Sequence, residues 1–294
     1  MIRFVLIISA FILSACAESN PPSENTQTAE PADNTKLMLP EPSGPHAIGV
    51  VDFELTDNGR EETFAPGTPR RIPVRAWFPA SSVSGAPKLY ANDLEMEHVI
   101  RASSRVIPQS EAAIAARENL PTHSYEQAVP LDAGARPTVI FSHGGTAYLS
   151  SNTALMEHLA SYGYLVLSIS HPYFSAATIH ENGDIVPLDQ GLLAGMMGDV
   201  VDPDFGYMDA FVSPDVAVRL EQTLRNNEDT AVAPHFLIWE EDFVHVIDRL
   251  ESGDLPEQAQ KLLPLVDMNR ICLLYTSDAA DEGLGVDLGG RRII

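Results

Sequence analysis

Ser142, His143, Gly144 and Gly145 follow directly on the apolar run Pro137-Thr138-Val139-Ile140-Phe141. A buried strand that breaks into His-Gly-Gly suits acyl transfer. Glycines let the backbone approach a substrate closely, and the N–H of the residue after His-Gly, here Gly145, can point at a developing oxyanion. Such chemistry also needs a nucleophile. The strained strand-to-helix turn that lifts a serine toward an ester carries glycines on both sides, as Gly-x-Ser-x-Gly. That pattern occurs nowhere in the 294 residues. Ser277 falls where the serine would align, but Tyr275 and Ala279 stand in the two glycine places. A bulky side chain clashes in that turn, so Ser277 is read as coincidence and no catalytic residue is assigned. His143 is read as a residue that fixes the loop by hydrogen bonds, since the catalytic histidine follows the serine in chain order. His171 is read as loop packing. Asp199, Asp202, Asp204 and Asp209 lack the glycine and glutamate spacing of a calcium loop, and no Cys/His cluster has zinc spacing. No metal is assigned.

The elements that must position the loop are legible on both sides of it. Pro137 to Ser142 reads as a buried parallel strand, and Tyr164-Leu165-Val166-Leu167-Ser168-Ile169 as another. Between them, Ser151 to Ser161 reads as a helix, with Leu155, Leu159 and Tyr162 on its apolar face and Gly163 as its left-handed stop. Strand, helix, strand at this spacing is a βαβ unit, so the fold class is α/β. Upstream, Ile48 to Leu55 reads as a half-exposed strand, and Ile72 to Pro79 as an antiparallel strand near a sheet edge, where proline is tolerated. Short helical stretches are expected around 94–100 and 111–117. Residues 172–233 read as an excursion or lid, with a Gly/Met-rich stretch from Gly191 to Gly198 and a helix after Ser213-Pro214 that aligns Val216, Leu220 and Leu224. Trp239, Phe243, Val246, Ile247 and Leu250 mark a stronger helix ending at Gly253, and a fresh strand is expected near Met268.

Composition sets the surroundings. The chain carries 18 Lys+Arg against 41 Asp+Glu, a formal net charge of -23, which repels phosphate backbones and excludes a nucleic-acid partner. Residues 1–15 read as a signal peptide: Arg3, then an apolar run from Phe4 to Leu13 that is too short to span a bilayer. Leu13-Ser14-Ala15-Cys16 resembles a bacterial lipobox, which makes Cys16 the lipidation site and first mature residue. With Ala17 rather than Asp next, the expected location is the outer membrane, facing the periplasm or the cell surface. Residues 16–45 are rich in Pro, Ser, Glu, Asn and Thr and read as a flexible tether. The folded domain is expected over 46–271.

These segments together resemble a known family. Phe141-Ser142-His143-Gly144-Gly145 is similar to the oxyanion loop of α/β hydrolases. Ala160 to Tyr173, Gly44-Pro45-His46-Ala47-Ile48-Gly49-Val50 and Ile72 to Pro79 resemble stretches of the platelet-activating factor acetylhydrolase (isoform II-like) family, with dienelactone-hydrolase-like esterases as further relatives. The resemblance runs from about Gly44 to Ile271 and is poor between 189 and 233. It implies a mostly parallel sheet with helices on both faces. It also implies a metal-free, cofactor-free Ser-His-Asp esterase of short-chain or phospholipid-like esters, with His143 and Gly144 in the oxyanion loop and Gly145 in the oxyanion hole. Family members often carry an apolar residue at the place of Gly145. The family's nucleophile is expected just after Ile271. Cys272 to Glu282 and Val286 to Ile294 instead resemble translated sequencing-library adaptors. Residues 272–294 are therefore set aside as a non-native tail, and the chain is read as a fragment that breaks off before the nucleophile strand and elbow. The different-class alternative is a non-catalytic lipoprotein that uses this fold for binding.

Overall fold

The computed structural model describes residues 37–106, 108–201, 213–231 and 233–275. Its sheet strands are β1 (Ala47–Glu61), β2 (Pro69–Ser84), β3 (Ser124–Tyr125), β4 (Gln127–Pro130), β5 (Arg136–Ser142) and β6 (Leu165–Ile169). After a separate hairpin of β7 (Ala177–Ile179) and β8 (Ile185–Pro187) comes β9 (Val266–Tyr275). The order is β3-β1-β2-β6-β5-β9, with β4 alongside β2. Pairing is parallel where β5 meets β6 and β9, and antiparallel where β2 meets β1, β4 and β6.

The helices are α1 (Arg101–Val106), α2 (Glu111–Ala115), α3 (Thr153–Ser161), α4 (Gln190–Val201), α5 (Val216–Asp229) and α6 (Phe236–Ser252). Alternation along the strands divides the core between two faces. Val74, Ala76, Phe78, Ile140, Leu165, Leu167 and Ile169 pack against Phe243, Val246 and Leu250 of α6 and a 3₁₀ segment, Glu257–Leu265. Val139, Phe141, Val166 and Trp77 pack against Met156 and Ala160 of α3 on the other face. The α6 helix ends as expected, with Gly253 at φ 71° donating its N–H to the Leu250 carbonyl.

Three expectations need correction. First, β2 is no edge strand: it lies between β1 and β6. Its prolines are tolerated because pairing with β6 covers only Val74 to Trp77, so Pro73 and Pro79 flank the ladder rather than interrupt it. Second, the buried face of α3 is Thr153, Met156, Glu157, Ala160 and Ser161, while Leu155 and Tyr162 are exposed. Small residues, Ala160 and Ser161, take the end of that face because residues 44–46 pass over it. A side chain on Gly44 would overlap the backbone of Ser161, whose carbonyl accepts the His46 N–H at 3.1 Å. Third, the strand that begins near Met268 does not break off at Ile271. It runs on through Tyr275, with Thr138 opposite Ile271 and Ser142 opposite Tyr275. Cys272, Leu273 and Leu274 suit a strand and take up the free edge of β5. The Gly/Met-rich stretch is helical, within α4. Val216, Leu220 and Leu224 do align on α5, and all three are exposed.

The α3 assignment can be measured. Met156→Ala should lower unfolding free energy by about 2–5 kcal/mol, while Leu155→Ala should stay within about 0.5 kcal/mol. Equal losses in urea titrations would show that the helix faces the sheet the other way.

Candidate active site

The chain after β5 turns sharply at the carboxyl end of the sheet. His143 is fully buried, Gly144 and Gly145 are partly exposed, and Thr146 is left-handed at φ 66°. A non-glycine residue held there costs about 1–2 kcal/mol, so neighbours must hold it. They come from the turn after β6. Phe174 accepts the Thr146 N–H at 2.9 Å, and Ala147 accepts the Ala176 N–H at 2.8 Å. Tyr173 in that turn is itself left-handed at φ 72°. Two strained turns are thus laced together.

Side chains complete the clamp. His143 donates from Nδ1 to the Gly144 carbonyl at 2.9 Å, which leaves Nε2 to accept from the Ser175 hydroxyl at 2.9 Å. Burial, reinforced by His171, lowers the His143 pKa to about 3, so the ring is neutral. The sequence-level role for His143, fixing the loop by hydrogen bonds, describes these contacts. Among the described residues, the Gly145 N–H has no hydrogen-bond partner, whereas the Thr146 and Ala147 N–H groups are both taken.

Behind the loop lies a relay that sequence reading missed. His171 Nδ1 donates to Asp242 at 2.8 Å, so its Nε2 accepts from the Ser142 hydroxyl at 2.8 Å. Arg70 grips the same carboxylate through Nε at 3.1 Å and Nη2 at 2.7 Å, and also reaches Glu62. Arg60 adds a contact at 3.0 Å. The Trp239 ring stacks on His171 with centroids 4.6 Å apart and planes at 8°. Burial alone would raise the Asp242 carboxyl, but Arg70 and the hydrogen bonds from His171 and Arg70 hold it well below the usual carboxylate range. Burial keeps the His171 ring neutral despite that carboxylate.

Ser142, His171 and Asp242 have the wiring of a catalytic triad, yet this one is sealed. Relative exposures are 1%, 0% and 0%, so no ester carbonyl reaches Ser142. The readable signal was Asp242 itself, a charged residue between Trp239 and Val246 on the buried stripe of a helix. A charge there must have buried partners.

Other singled-out residues fall elsewhere. Asp199 accepts the Ala231 N–H at 2.7 Å. Asp202, Asp204 and Asp209 lie outside the described residues, as do Cys16 and Ser277. Among the described residues no group of three or more His, Cys, Asp or Glu is placed to hold a metal ion. The β9 strand ends level with Ser142, at the carboxyl edge of the sheet from which the Gly144–Gly145 loop leaves and where a nucleophile elbow belongs.

A mixed, largely parallel sheet with helices on both faces and a His-Gly-Gly turn at its carboxyl edge defines the α/β-hydrolase fold. The chain belongs to the platelet-activating factor acetylhydrolase, isoform II, family, which matches residues 32–184, just over half of its length. It is similar to a probable 1-alkyl-2-acetylglycerophosphocholine esterase of Arthroderma benhamiae, 24% identical over 189 residues that cover 61% of this chain and 45% of the fungal protein. A ferulic acid esterase structure from Streptomyces cinnamoneus shares the fold at TM-score 0.53 and 19% identity, over 85% of this chain and 58% of that one. The chain thus spans less than two thirds of either relative.

The buried imidazoles make stability depend on pH. The folded His143 pKa of about 3 lies below the unfolded value of about 6.5, so between them the unfolded chain binds the extra proton. Stability should therefore fall as pH drops through this window, by about 1.4 kcal/mol per pH unit for each such histidine. Urea midpoints measured across it should give a shallower slope for His143→Gln. An unchanged slope would mean that the ring is not held neutral.

Proposed function

We propose that this protein is a serine esterase acting on short-chain or phospholipid-like carboxylic esters, exported and held at a membrane by a lipid on Cys16. The observation that carries the catalytic part is the unpaired Gly145 N–H, presented on a clamped loop beside the end of β9. A backbone donor fixed where charge develops lowers the barrier to acyl transfer without reorganising. In this reading a serine just after β9 attacks the ester carbonyl and a histidine takes its proton. The Gly145 N–H and that of the residue after the serine then hold the oxyanion until the histidine passes the proton to the leaving alcohol. Water then releases the acyl group from the serine as a carboxylic acid by the same route. Family membership and two esterase relatives support this reaction class. His143 and the Ser142–His171–Asp242 relay hold the loop and do not touch substrate.

The active enzyme carries Gly-x-Ser-x-Gly after Ile271. The 294-residue chain, with Tyr275 and Ala279 in the glycine places, is inactive. A chain bearing the elbow and its downstream Asp and His should hydrolyse p-nitrophenyl acetate, and Gly145→Pro, which deletes the N–H, should lower its kcat by about 10²–10³. Hydrolysis by the 294-residue chain that disappears on Ser142→Ala or Ser277→Ala would overturn the assignment. No hydrolysis by the elbow-bearing chain would favour the non-catalytic lipoprotein.

The membrane part is tested separately. In cells fed labelled palmitate, the protein should carry the label in the membrane fraction, and Cys16→Ser should abolish it. Label retained by the variant would rule out Cys16 as the anchor.

A further inference from the structure

Gly145 has no side chain, yet the space beside it is filled. The Met196 ε-methyl lies 3.7 Å from where a Cβ on Gly145 would sit. Apart from the glycine's own chain neighbours, it is the one atom of the described residues within 4 Å of that point. Met196 is a partly buried residue of α4, packed against Phe174, Leu192 and Trp239. Its neighbours there are apolar, and the loop residue beside it, Gly145, is the one whose N–H has no hydrogen-bond partner among the described residues.

The helix that carries Met196 is fastened at both ends. At its start, Asp189 donates its N–H to the Tyr173 carbonyl at 2.9 Å and accepts the Leu192 N–H on Oδ1 at 2.8 Å. Towards its end, Asp199 accepts the Ala231 N–H at 2.7 Å. Between them Gly195 lies so close to Ala231 that any side chain would overlap its methyl. The thioether alone keeps freedom, through three rotatable bonds. A residue that merely filled the core would sit in the sealed part of the cluster, as Leu192 and Trp239 do. Met196 is only partly buried and lies beside Gly145.

We propose that Met196 is a specificity-determining residue. Its methyl forms the wall on which the aliphatic acyl group of a short-chain ester lies while the carbonyl oxygen meets the Gly145 N–H. The inference rests on the assignment of Gly145 to the oxyanion hole. The wall sits at van der Waals distance from the place of a Gly145 Cβ, so an acyl group that lies against it cannot extend through it. Removing the thioether opens that direction.

The test uses the 294-residue chain with ¹³C-methyl methionine, and acetate, butyrate and hexanoate as probes for the acyl product. The Met196 resonance, identified by its loss in Met196→Leu, should move saturably, more tightly with butyrate than with acetate. Gly145→Leu, which fills the same space, should abolish the movement while leaving the thermal melt cooperative. A Met196 resonance that stays still, or that moves equally in Gly145→Leu, overturns the proposal. In the elbow-bearing esterase, Met196→Ala should shift kcat/KM toward longer p-nitrophenyl esters by about tenfold or more, and an unchanged preference also overturns it. The two readings fail separately. Carboxylate-induced movement without ester hydrolysis defeats the esterase assignment and leaves the Met196 wall standing. Hydrolysis with an unmoved methyl does the reverse.

Discussion

A single buried carboxylate organises this half of the molecule. Asp242 has no exposure to water, and an ion taken into a protein interior costs several kcal/mol unless its partners are close and well placed. Here they arrive from sites distant in the chain: Arg60 at the end of β1, Arg70 at the start of β2, and His171 after β6. One helix is thereby fastened to three other segments. Removing the carboxylate itself leaves Arg70 buried and short of compensation, a loss of about 3–5 kcal/mol. The set therefore behaves as a unit, and Trp239, one turn earlier on α6, fixes the plane of the His171 ring by stacking on it.

From that anchor the order propagates to the loop. Asp242 accepts from His171 Nδ1, so the other ring nitrogen must be an acceptor, and Ser142 must donate to it. Ser142 ends β5, so its orientation sets where the chain goes next. His143 repeats the pattern one residue on, through the Gly144 carbonyl and Ser175. The left-handed turns at Thr146 and Tyr173 persist because they are over-determined in this way. Arrangement alone would pass for a triad; exposure decides otherwise.

The parts of this architecture that rest on local pattern were readable in advance. The parallel pair β5 and β6, the helix between them, the α6 stripe from Trp239 to Leu250 and its Gly253 stop follow from periods of two and 3.6 and from one glycine's conformational freedom. So was the loop at His143, Gly144 and Gly145, which follows a strand in the sequence itself. The misreadings arose where long-range packing outvoted local pattern. Leu155 and Tyr162 looked like a core face, but the approach of Gly44 to Ser161 turns the small residues of α3 inward. Pro73 and Pro79 looked like an edge, but the β6 ladder fits between them. The relay was invisible because Arg70, His171 and Asp242 lie 172 residues apart at the extremes, and no spacing rule connects them.

The parallel core also explains why these features share one edge of the sheet. In a parallel array every strand delivers its carboxyl end to the same side, which is where open α/β sheets bind ligands. The β6 strand delivers His171 there, β5 delivers His143 and the glycines, and β9 ends level with them at Tyr275. Charged and polar groups from that edge turn inward and are saturated by Asp242 and Ser175. What remains is a partly exposed Gly145, its N–H without a partner among the described residues, beside the apolar Met196 of α4. A saturated polar layer beneath a free donor is what preorganisation requires. The donor stays in place because Ser142, His143, His171 and Ser175 are buried beneath it and bonded to one another.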